Sequence, residues 1–173
     1  MKNTNIYLIG MMGSGKTTIG KILSKKLKMN FIDIDHKIEK IMSMEISEIF
    51  DEFGQKRFRD MESSFLIEKS KEKGIIFSTG GGIILKESNR ECLLNNGITI
   101  LLETSIDELI NRIKNTYDRP LLKNSKNIKV DLLTIWNERK IIYTSCANHI
   151  VKTDKYQPHI ITNKIIKILN EKN

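Results

Sequence analysis

The chain has 173 residues, of which 39% are hydrophobic and 29% are charged, as in an ordinary globular protein with a single core. No apolar run approaches the roughly 20 residues of a membrane-spanning helix, and no hydrophobic leader precedes the first predicted strand, so we expect a cytoplasmic protein. The formal net charge of +8 is spread along the sequence without a basic block, which disfavours nucleic acid as the main partner.

A glycine-rich segment between a strand and a helix is the first functional signal along the chain. Residues 6–9 form an apolar strand pattern, and residues 18–28 carry apolar side chains at helical spacing. Between them lies the G-x-x-x-x-G-K-[ST] phosphate-binding loop, whose glycines let backbone N–H groups surround a polyanion at a helix N-terminus. The sequence therefore predicts nucleoside triphosphate binding; the alternative is a glycine-rich turn that matches by chance. The loop residues that we expect to bind nucleotide are Gly13, Ser14, Gly15, Lys16, Thr17 and Thr18.

A second strand is predicted over residues 29–35, with Asp33 and Asp35 at its carboxyl end. Residues two apart on a strand share a face, so we expect both carboxylates to point the same way. In open α/β sheets ligands bind beyond the carboxyl ends of the strands, although a solvated strand end would have the same sequence. Residues 37–50 then indicate one or two short amphipathic helices that end near Gly54.

Two polar features follow in the middle of the chain. A helix predicted over residues 57–73 carries Arg59 and Glu62, which are three apart and can pair either as an exposed ion pair or as part of a site. A buried strand over residues 75–78 leads into Gly80, Gly81 and Gly82. Three glycines after a strand let a ligand approach the backbone closely, and a flexible hinge is the alternative.

The second half of the chain continues the alternation of helices and strands. An amphipathic segment ends near Gly97, a strand covers residues 98–102, and Ser105 with Glu108 forms a predicted capping box for the next helix. A helix over residues 129–143, a strand over residues 147–151 and a last helix that opens at Pro158 complete the chain. Cys92 and Cys146 lack metal-ligand spacing and are expected to be buried thiols, and the histidines are scattered.

Two segments of this half point to function. Residues 115–127 are polar and aperiodic, which is typical of a mobile lid loop between two helices. Arg139 lies on the apolar stripe of its helix, where a charge is costly unless an anion meets it. An arginine that snorkels at the edge of the stripe is the alternative.

Strands separated by helices, without hairpin signals, predict an α/β fold. We expect a three-layer sandwich in which a five-stranded parallel sheet has helices on both faces and the phosphate-binding loop follows strand 1. No linker or internal repeat is present, so residues 1–173 are predicted to form one domain.

The phosphate-binding loop alone does not select a reaction. A GTPase should contain Asn-Lys-x-Asp, but Asn163-Lys164 continues into apolar residues, and no strand ends in Asp-Glu as in motor ATPases. The short chain, the lid-like loop and the helical insert after Asp35 favour a kinase that acts on a small molecule.

Taken together, the motifs resemble those of the shikimate kinase family, in the family's order and over nearly the whole chain. They are residues 10–17, Asp33-Ile34-Asp35, Phe58-Arg59-Asp60-Met61-Glu62, Gly80-Gly81-Gly82, Arg119-Pro120-Leu121 and Arg139 four residues before Tyr143. The resemblance implies Mg²⁺-dependent transfer of the ATP γ-phosphate to the 3-hydroxyl of shikimate, in aromatic amino-acid biosynthesis. We expect a monomer.

The resemblance also implies roles for individual residues. In the nucleotide site, Lys16 would hold the phosphates, Thr17 the Mg²⁺ and Asp33 the metal's water shell. Arg119 would close with the lid onto the transferring phosphate, and Arg112 and Pro158 would lie at the adenine.

In the shikimate site, which the resemblance assigns to a helical insert at about residues 34–62, Asp35 would orient the attacking hydroxyl and take its proton. Arg59 and Arg139 would clamp the carboxylate, and Gly80, Gly81 and Gly82 would lie against the ring hydroxyls. Two alternatives stay open: gluconate kinase, which shares the loop and the fold but does not require Asp35, Arg59 and Arg139 together, and a non-catalytic nucleotide-binding regulator.

Overall fold

The computed structural model describes residues 3–113 and 125–171. The elements in chain order are β1 (Asn5–Ile9), α1 (Lys16–Leu27), β2 (Asn30–Asp33), α2 (Ile34–Met42), α3 (Ile46–Lys69), β3 (Ile75–Ser78), a 3₁₀ turn (Ile83–Leu85), α4 (Glu87–Asn96), β4 (Gly97–Glu103), α5 (Ile106–Ile113), α6 (Ile128–Cys146), β5 (His149–Lys152) and α7 (Pro158–Asn170).

The strands of the described residues form one parallel sheet in the order β2-β3-β1-β4-β5. Strand β1 lies at its centre, with Ile6 paired to Ile76 of β3 and to Ile98 of β4. Every residue of β1 and β3 is buried, as expected for parallel strands that are covered on both faces. The predicted five-stranded parallel sheet is confirmed.

Alternate residues of β1 face two separate cores, because successive side chains of a strand point to opposite faces. Ile6 and Leu8 pack with the apolar residues of α1 and α7. Tyr7 and Ile9 pack with those of α2 to α6. Helices therefore cover both faces of the sheet, and the predicted three-layer arrangement is confirmed.

The connections after β1 and β3 lead to elements on opposite faces of the sheet. The loop after β1 leads into α1 and its core, whereas the segment after β3 leads into Ile83 and Ile84 in the other core. β1 and β3 are neighbours, so a crevice opens between their carboxyl ends, where ligands bind in open α/β sheets.

The prediction that Asp33 and Asp35 share a strand face is wrong. Strand β2 ends at Asp33, and Asp35 lies in the first turn of α2. Asp33 has an extended backbone, and its Oδ1 accepts a hydrogen bond from His36 N at 3.3 Å. An aspartate at the N-cap accepts a hydrogen bond from a free N–H of the first helical turn. Because Asp33 caps α2 in this way, the strand ends two residues before the predicted end at Asp35.

Helix α3 shows both the predicted break at Gly54 and an earlier end than predicted. Gly54 has φ 77° and ψ 157°, which interrupts the helix where the sequence predicts a stop. The helix ends at Lys69 rather than at residue 73. Asn5 Nδ2 donates to the carbonyls of Ser70 and Glu72, at 3.1 and 2.7 Å, and this holds the chain in a turn.

The capping box predicted at α5 forms only in part. Glu108 N donates to Ser105 Oγ at 3.4 Å, as the motif requires. The reciprocal bond is absent from this pair: Ser105 N donates instead to Asp154 Oδ1 at 2.8 Å, and the Glu108 carboxylate binds Arg112 Nε at 2.9 Å.

Candidate active site

The phosphate-binding loop connects β1 to the N-terminus of α1. Gly10 and Gly13 have φ of 142° and 79°, and a Cβ on Gly10 would lie 2.6 Å from the Leu102 carbonyl oxygen. Only glycine fits such a position without strain. Ser14 N donates to Met11 O at 3.2 Å and closes the turn directly before α1. The N–H groups of the loop and the helix dipole thus act at the same point.

Lys16 lies inside this loop. Only 8% of the residue is exposed, and its Nζ donates to the carbonyls of Gly10 and Met11 at 2.9 and 2.8 Å. Ser14 Oγ lies 3.4 Å from the same ammonium group. The positive charge of Lys16 therefore lies at the N-terminus of α1, beside the backbone amides of the loop.

Oxygen atoms that suit Mg²⁺ lie next to this loop. Thr17 Oγ1 donates to Asp33 Oδ2 at 2.6 Å and is 3.3 Å from Ser78 Oγ. A hydroxyl and a carboxylate are hard ligands of the kind that Mg²⁺ binds, together with water and phosphate oxygens. No group of three or more His, Cys, Asp or Glu side chains that could hold a metal ion occurs among residues 3–113 and 125–171.

A cavity of about 640 Å³ opens beyond the carboxyl ends of β2 and β3, and we call it the central cavity. It brings together eight of the predicted site residues, which come from the phosphate-binding loop, the end of β2, α2, α3, α6 and the segment of residues 80–82, which we call the glycine segment. These are Thr17, Asp33, Asp35, Arg59, Gly80, Gly81, Gly82 and Arg139.

The central cavity also has an apolar wall, which the sequence patterns did not predict. Met12, Ile46, Phe50 and Phe58 line it, and the rings of Phe50 and Phe58 meet edge to face with their centroids 5.1 Å apart. Phe58 also lies below the Arg59 guanidinium, with 5.2 Å between Cζ and the ring centroid. Helical spacing predicts Ile46, Phe50 and Phe58 as core residues, and only the tertiary structure shows that they line the cavity.

Arg59 and Glu62 form an ion pair within α3, but the pair is not exposed. The side chain of Glu62 is 0% exposed and that of Arg59 is 13% exposed. The alternative of a solvated surface pair is therefore wrong. A Cβ on Gly82 would overlap the Arg59 guanidinium, so a glycine at this position leaves the space that the guanidinium occupies.

The buried Glu62 carboxyl has an unusual protonation equilibrium. Burial raises its pKa to about 7, and the negative charge of Asp35 adds to this effect, although Arg59 and Arg139 oppose it. A Cβ on Gly80 would overlap Glu62 Oε1 and would lie 2.7 Å from Asp35 Oδ1. Two acidic and two basic side chains therefore meet around the glycine segment.

Arg139 is buried as well, which makes the snorkelling alternative wrong. The residue is 7% exposed, and its Nη1 donates to the Gly81 carbonyl at 3.2 Å. The Nε atoms of Arg139 and Arg59 are both buried without a hydrogen-bond partner among the described residues. Buried donors are normally satisfied, so this pair of arginines is suited to an anionic ligand in the central cavity.

A second cavity of about 370 Å³ lies between α1, α5 and the segment that joins β5 to α7. It brings together Gly15, Thr18, Arg112 and Pro158, which we predicted in the nucleotide site, and adds Tyr156, which we did not. The Arg112 guanidinium donates to the Thr153 carbonyl at 2.8 Å and to Ser14 O at 3.4 Å. This cavity therefore borders the phosphate-binding loop and shares no lining residue with the central cavity.

Arg119 and residues 115–124 of the predicted lid lie outside the described residues. Cys92 and Cys146 are buried free thiols, as predicted. In the part of the chain that the structure covers, no helix has the length and apolar character needed to cross a membrane.

The chain is similar to proteins of known activity over nearly its full length. A family model described as "Shikimate kinase" matches residues 12–170. The shikimate kinase of Wigglesworthia glossinidia brevipalpis is 38% identical over 169 residues, which cover 98% of each chain. That of a Sulfurihydrogenibium species is 40% identical over 163 residues, 94% of this chain and 95% of its own.

Solved structures are similar in the same way. A shikimate kinase from Acinetobacter baumannii in complex with shikimate has a TM-score of 0.95 at 33% identity and covers 99% of this chain and 95% of its own. The shikimate kinase from Aquifex aeolicus has a TM-score of 0.81 at 29% identity, with 97% of each chain covered.

Proposed function

The chain belongs to the shikimate kinase family, and from this premise we propose how its residues carry out the reaction. The enzyme transfers the γ-phosphoryl group of ATP to the 3-hydroxyl of shikimate, a step of aromatic amino-acid biosynthesis. The observation that carries the residue roles is the meeting of Asp35, Arg59 and Arg139 around the glycine segment, in a cavity that Thr17 of the phosphate-binding loop also lines.

Arg59 and Arg139 clamp the shikimate carboxylate. The Nε atoms of both arginines are buried and have no hydrogen-bond partner among the described residues. A planar guanidinium binds a carboxylate with two parallel hydrogen bonds, which gives orientation as well as affinity. With its carboxylate held by the two arginines, shikimate places its ring hydroxyls against the backbone of Gly80, Gly81 and Gly82.

Asp35 orients the 3-hydroxyl and accepts its proton. The hydroxyl oxygen attacks the γ-phosphorus, the bond from that phosphorus to the bridging oxygen breaks, and ADP leaves. The position of Asp35 in the first turn of α2, beside Gly80 and in the same cavity as Thr17, supports this role.

The phosphate-binding loop and the second cavity hold ATP. The amides of Gly13, Ser14 and Gly15 surround the phosphates, and the Lys16 ammonium exchanges the carbonyls of the loop for phosphate oxygens. Thr18, Arg112 and Pro158 then lie at the adenosine, in the second cavity. The second cavity shares no lining residue with the central cavity, which supports this division.

The residues at the end of β2 suit a magnesium ion. Thr17 would ligate it directly and Asp33 would hold its water molecules, in line with the 2.6 Å contact between these side chains. When bound, Mg²⁺ neutralises part of the charge of the phosphates during transfer.

We propose that the chain is one domain, that residues 34–62 form the shikimate-binding insert, and that residues 115–127 close as a lid and bring Arg119 to the transferring phosphate. The break at Gly54 within α3 supports an insert that moves in part independently. We also propose a monomer, a cytoplasmic location and no nucleic-acid partner.

A coupled assay of ADP release tests the proposal. The purified chain is given ATP with shikimate, with gluconate or without an acceptor, each with and without Mg²⁺. We expect ADP release that depends on both shikimate and Mg²⁺. Faster release with gluconate would favour the gluconate kinase alternative, and ATP binding without turnover would indicate a regulator.

A further inference from the structure

One face of α6 carries more than the arginine of the clamp. Trp136, Arg139 and Tyr143 are spaced three and four residues apart, so their side chains lie on the same face of the helix. Tyr143 is fully buried, and its ring stacks on that of Trp136 with 6.1 Å between centroids and 27° between planes. Packing alone would be served equally well by a phenylalanine.

The hydroxyl of Tyr143 has a specific partner. It donates a hydrogen bond to the carbonyl oxygen of Gly81, and Arg139 Nη1 donates to the same oxygen at 3.2 Å. A carbonyl oxygen has two lone pairs, so these two donors satisfy it fully. Two hydrogen bonds from α6 thus hold the middle of the glycine segment, and both end on the Gly81 carbonyl oxygen.

These two hydrogen bonds determine the orientation of the Gly81–Gly82 peptide plane in the proposed substrate site. The peptide bond is planar and trans, so the Gly82 N–H points away from the Gly81 carbonyl and hence away from α6. Without side chains, a run of three glycines has many accessible backbone conformations. The two hydrogen bonds from α6 restrict the Gly81–Gly82 peptide to one of them and at the same time hold the Arg139 guanidinium.

We propose that Tyr143 is a positioning residue for shikimate, which acts through the Gly81 carbonyl on both the glycine backbone and Arg139. This inference rests on the proposed function of the central cavity. Burial raises the pKa of Tyr143 to about 12, so the hydroxyl stays protonated and remains a donor at any pH at which the enzyme works. A buried hydroxyl pays a desolvation penalty unless it is bonded, and here its acceptor belongs to the substrate site.

A pair of tyrosine variants tests the proposal. Tyr143→Phe removes only the hydroxyl and keeps the ring on Trp136. Tyr7→Phe is the matched control, because Tyr7 is equally buried, stacks on Phe77 with 5.1 Å between centroids, and receives a hydrogen bond from Asn5 Nδ2 at 3.4 Å. Both variants lose a buried tyrosine hydroxyl, but only one of these groups contacts the glycine segment.

We expect Tyr143→Phe to raise the KM and the calorimetric Kd for shikimate about three- to ten-fold, as for the loss of one hydrogen bond. The KM for ATP should stay within about two-fold, because Gly81 is not assigned to the nucleotide. Tyr7→Phe should lower the melting temperature while leaving the shikimate constants unchanged. Unchanged shikimate constants in Tyr143→Phe, with or without a lower melting temperature, would overturn the proposal.

A double variant tests the shared carbonyl. Two donors to one oxygen are coupled, so Tyr143→Phe combined with Arg139→Lys should lose less shikimate affinity than the product of the two single losses. Losses that simply multiply would show that Tyr143 does not act through Gly81. Wild-type protein that binds shikimate without phosphorylating it would contradict the proposed function instead, and the binding titrations would still decide the role of Tyr143.

Discussion

Arg59 and Glu62 form an ion pair on α3 whose carboxylate is entirely buried beneath the glycine segment. The charge of Arg59 does not fully offset the cost of burying Glu62 beside Asp35, so the pKa of Glu62 is raised to about 7. Removal of one partner from such a pair leaves an uncompensated buried charge. This relationship makes the charge beside the central cavity sensitive to pH.

The pH dependence of stability should therefore contain a contribution from Glu62. Because its pKa is raised from 4.5 to about 7 on folding, this contribution is fully present below about pH 4.5 and is lost as the pH rises through 7. The unfolding free energy is measured by urea titration at pH 5 and at pH 8. We expect the value at pH 5 minus the value at pH 8 to be smaller in Glu62→Gln than in the wild type, by on the order of 1–3 kcal/mol. Glu68→Gln, at an exposed position of the same helix, is the control. An unchanged difference in Glu62→Gln would contradict the raised pKa.

Arg139→Lys separates charge from geometry in the proposed clamp. Lysine keeps the positive charge but has no planar fork, so we expect a loss of about 1.5–3 kcal/mol, or roughly ten- to a hundred-fold in kcat/KM for shikimate. The slow ATPase activity without shikimate should barely change. Arg90→Lys is the control, since Arg90 binds only the carbonyls of Ile84 and Leu85 in the contacts that the structure shows. Wild-type shikimate kinetics together with a lowered melting temperature would reject the clamp.

Asp35→Asn tests the proposed proton acceptor. An amide cannot take the proton of the hydroxyl, so kcat should collapse while the affinity for ATP stays nearly intact. Single-turnover rates and ATP binding are measured on the same preparation. Asp107→Asn, at a side chain that is 78% exposed, should behave as wild type. If Asp35→Asn weakened binding without lowering kcat, the residue would have a different role.

Lys16→Ala tests the proposed phosphate contact. Its removal takes away the charge that meets the terminal phosphates, so the KM for ATP should rise and kcat should fall, with a combined effect of at least about a hundred-fold. Lys25→Ala, an exposed lysine of the same helix, controls for the general loss of a positive charge. Steady-state kinetics with ATP varied at saturating shikimate measures the effect, and equal behaviour of the two variants would argue against a specific role for Lys16.

Closure of the lid is a prediction from the sequence of residues 115–127. Amide hydrogen exchange in this segment should slow when an ATP analogue and shikimate are both bound, because closure protects its backbone. Each ligand alone is the comparison. Identical exchange in the free protein and in the ternary complex would remove the lid from the mechanism.

The sequence was sufficient for the parts of the molecule that depend on local patterns. Continuous apolar runs predict the strands of a parallel sheet, and the glycines and Lys16 predict the phosphate-binding loop, because each pattern reflects the backbone conformation of its own segment. Gly54 was likewise predicted as a helix stop, and it has the positive φ that interrupts α3. The family resemblance added residues that lie far apart in the chain, such as Arg59 and Arg139, which the fold brings into one cavity.

Other features depend on contacts between distant segments, and only the tertiary structure determined them. Asp33 caps α2 and so moves Asp35 from the predicted strand into a helix, while Asp154 takes the Ser105 N–H that a local capping box would have used. The spacing of Arg59 and Glu62 allows an exposed pair or a buried one, and the choice was made by the glycine segment that packs over them. The Tyr143 hydroxyl donates to the carbonyl of Gly81, which lies 62 residues away in the chain. A local sequence pattern cannot predict a contact over that separation. Side-chain spacing determines which groups share a face of an element, but burial and partners are set by the elements that pack against that face.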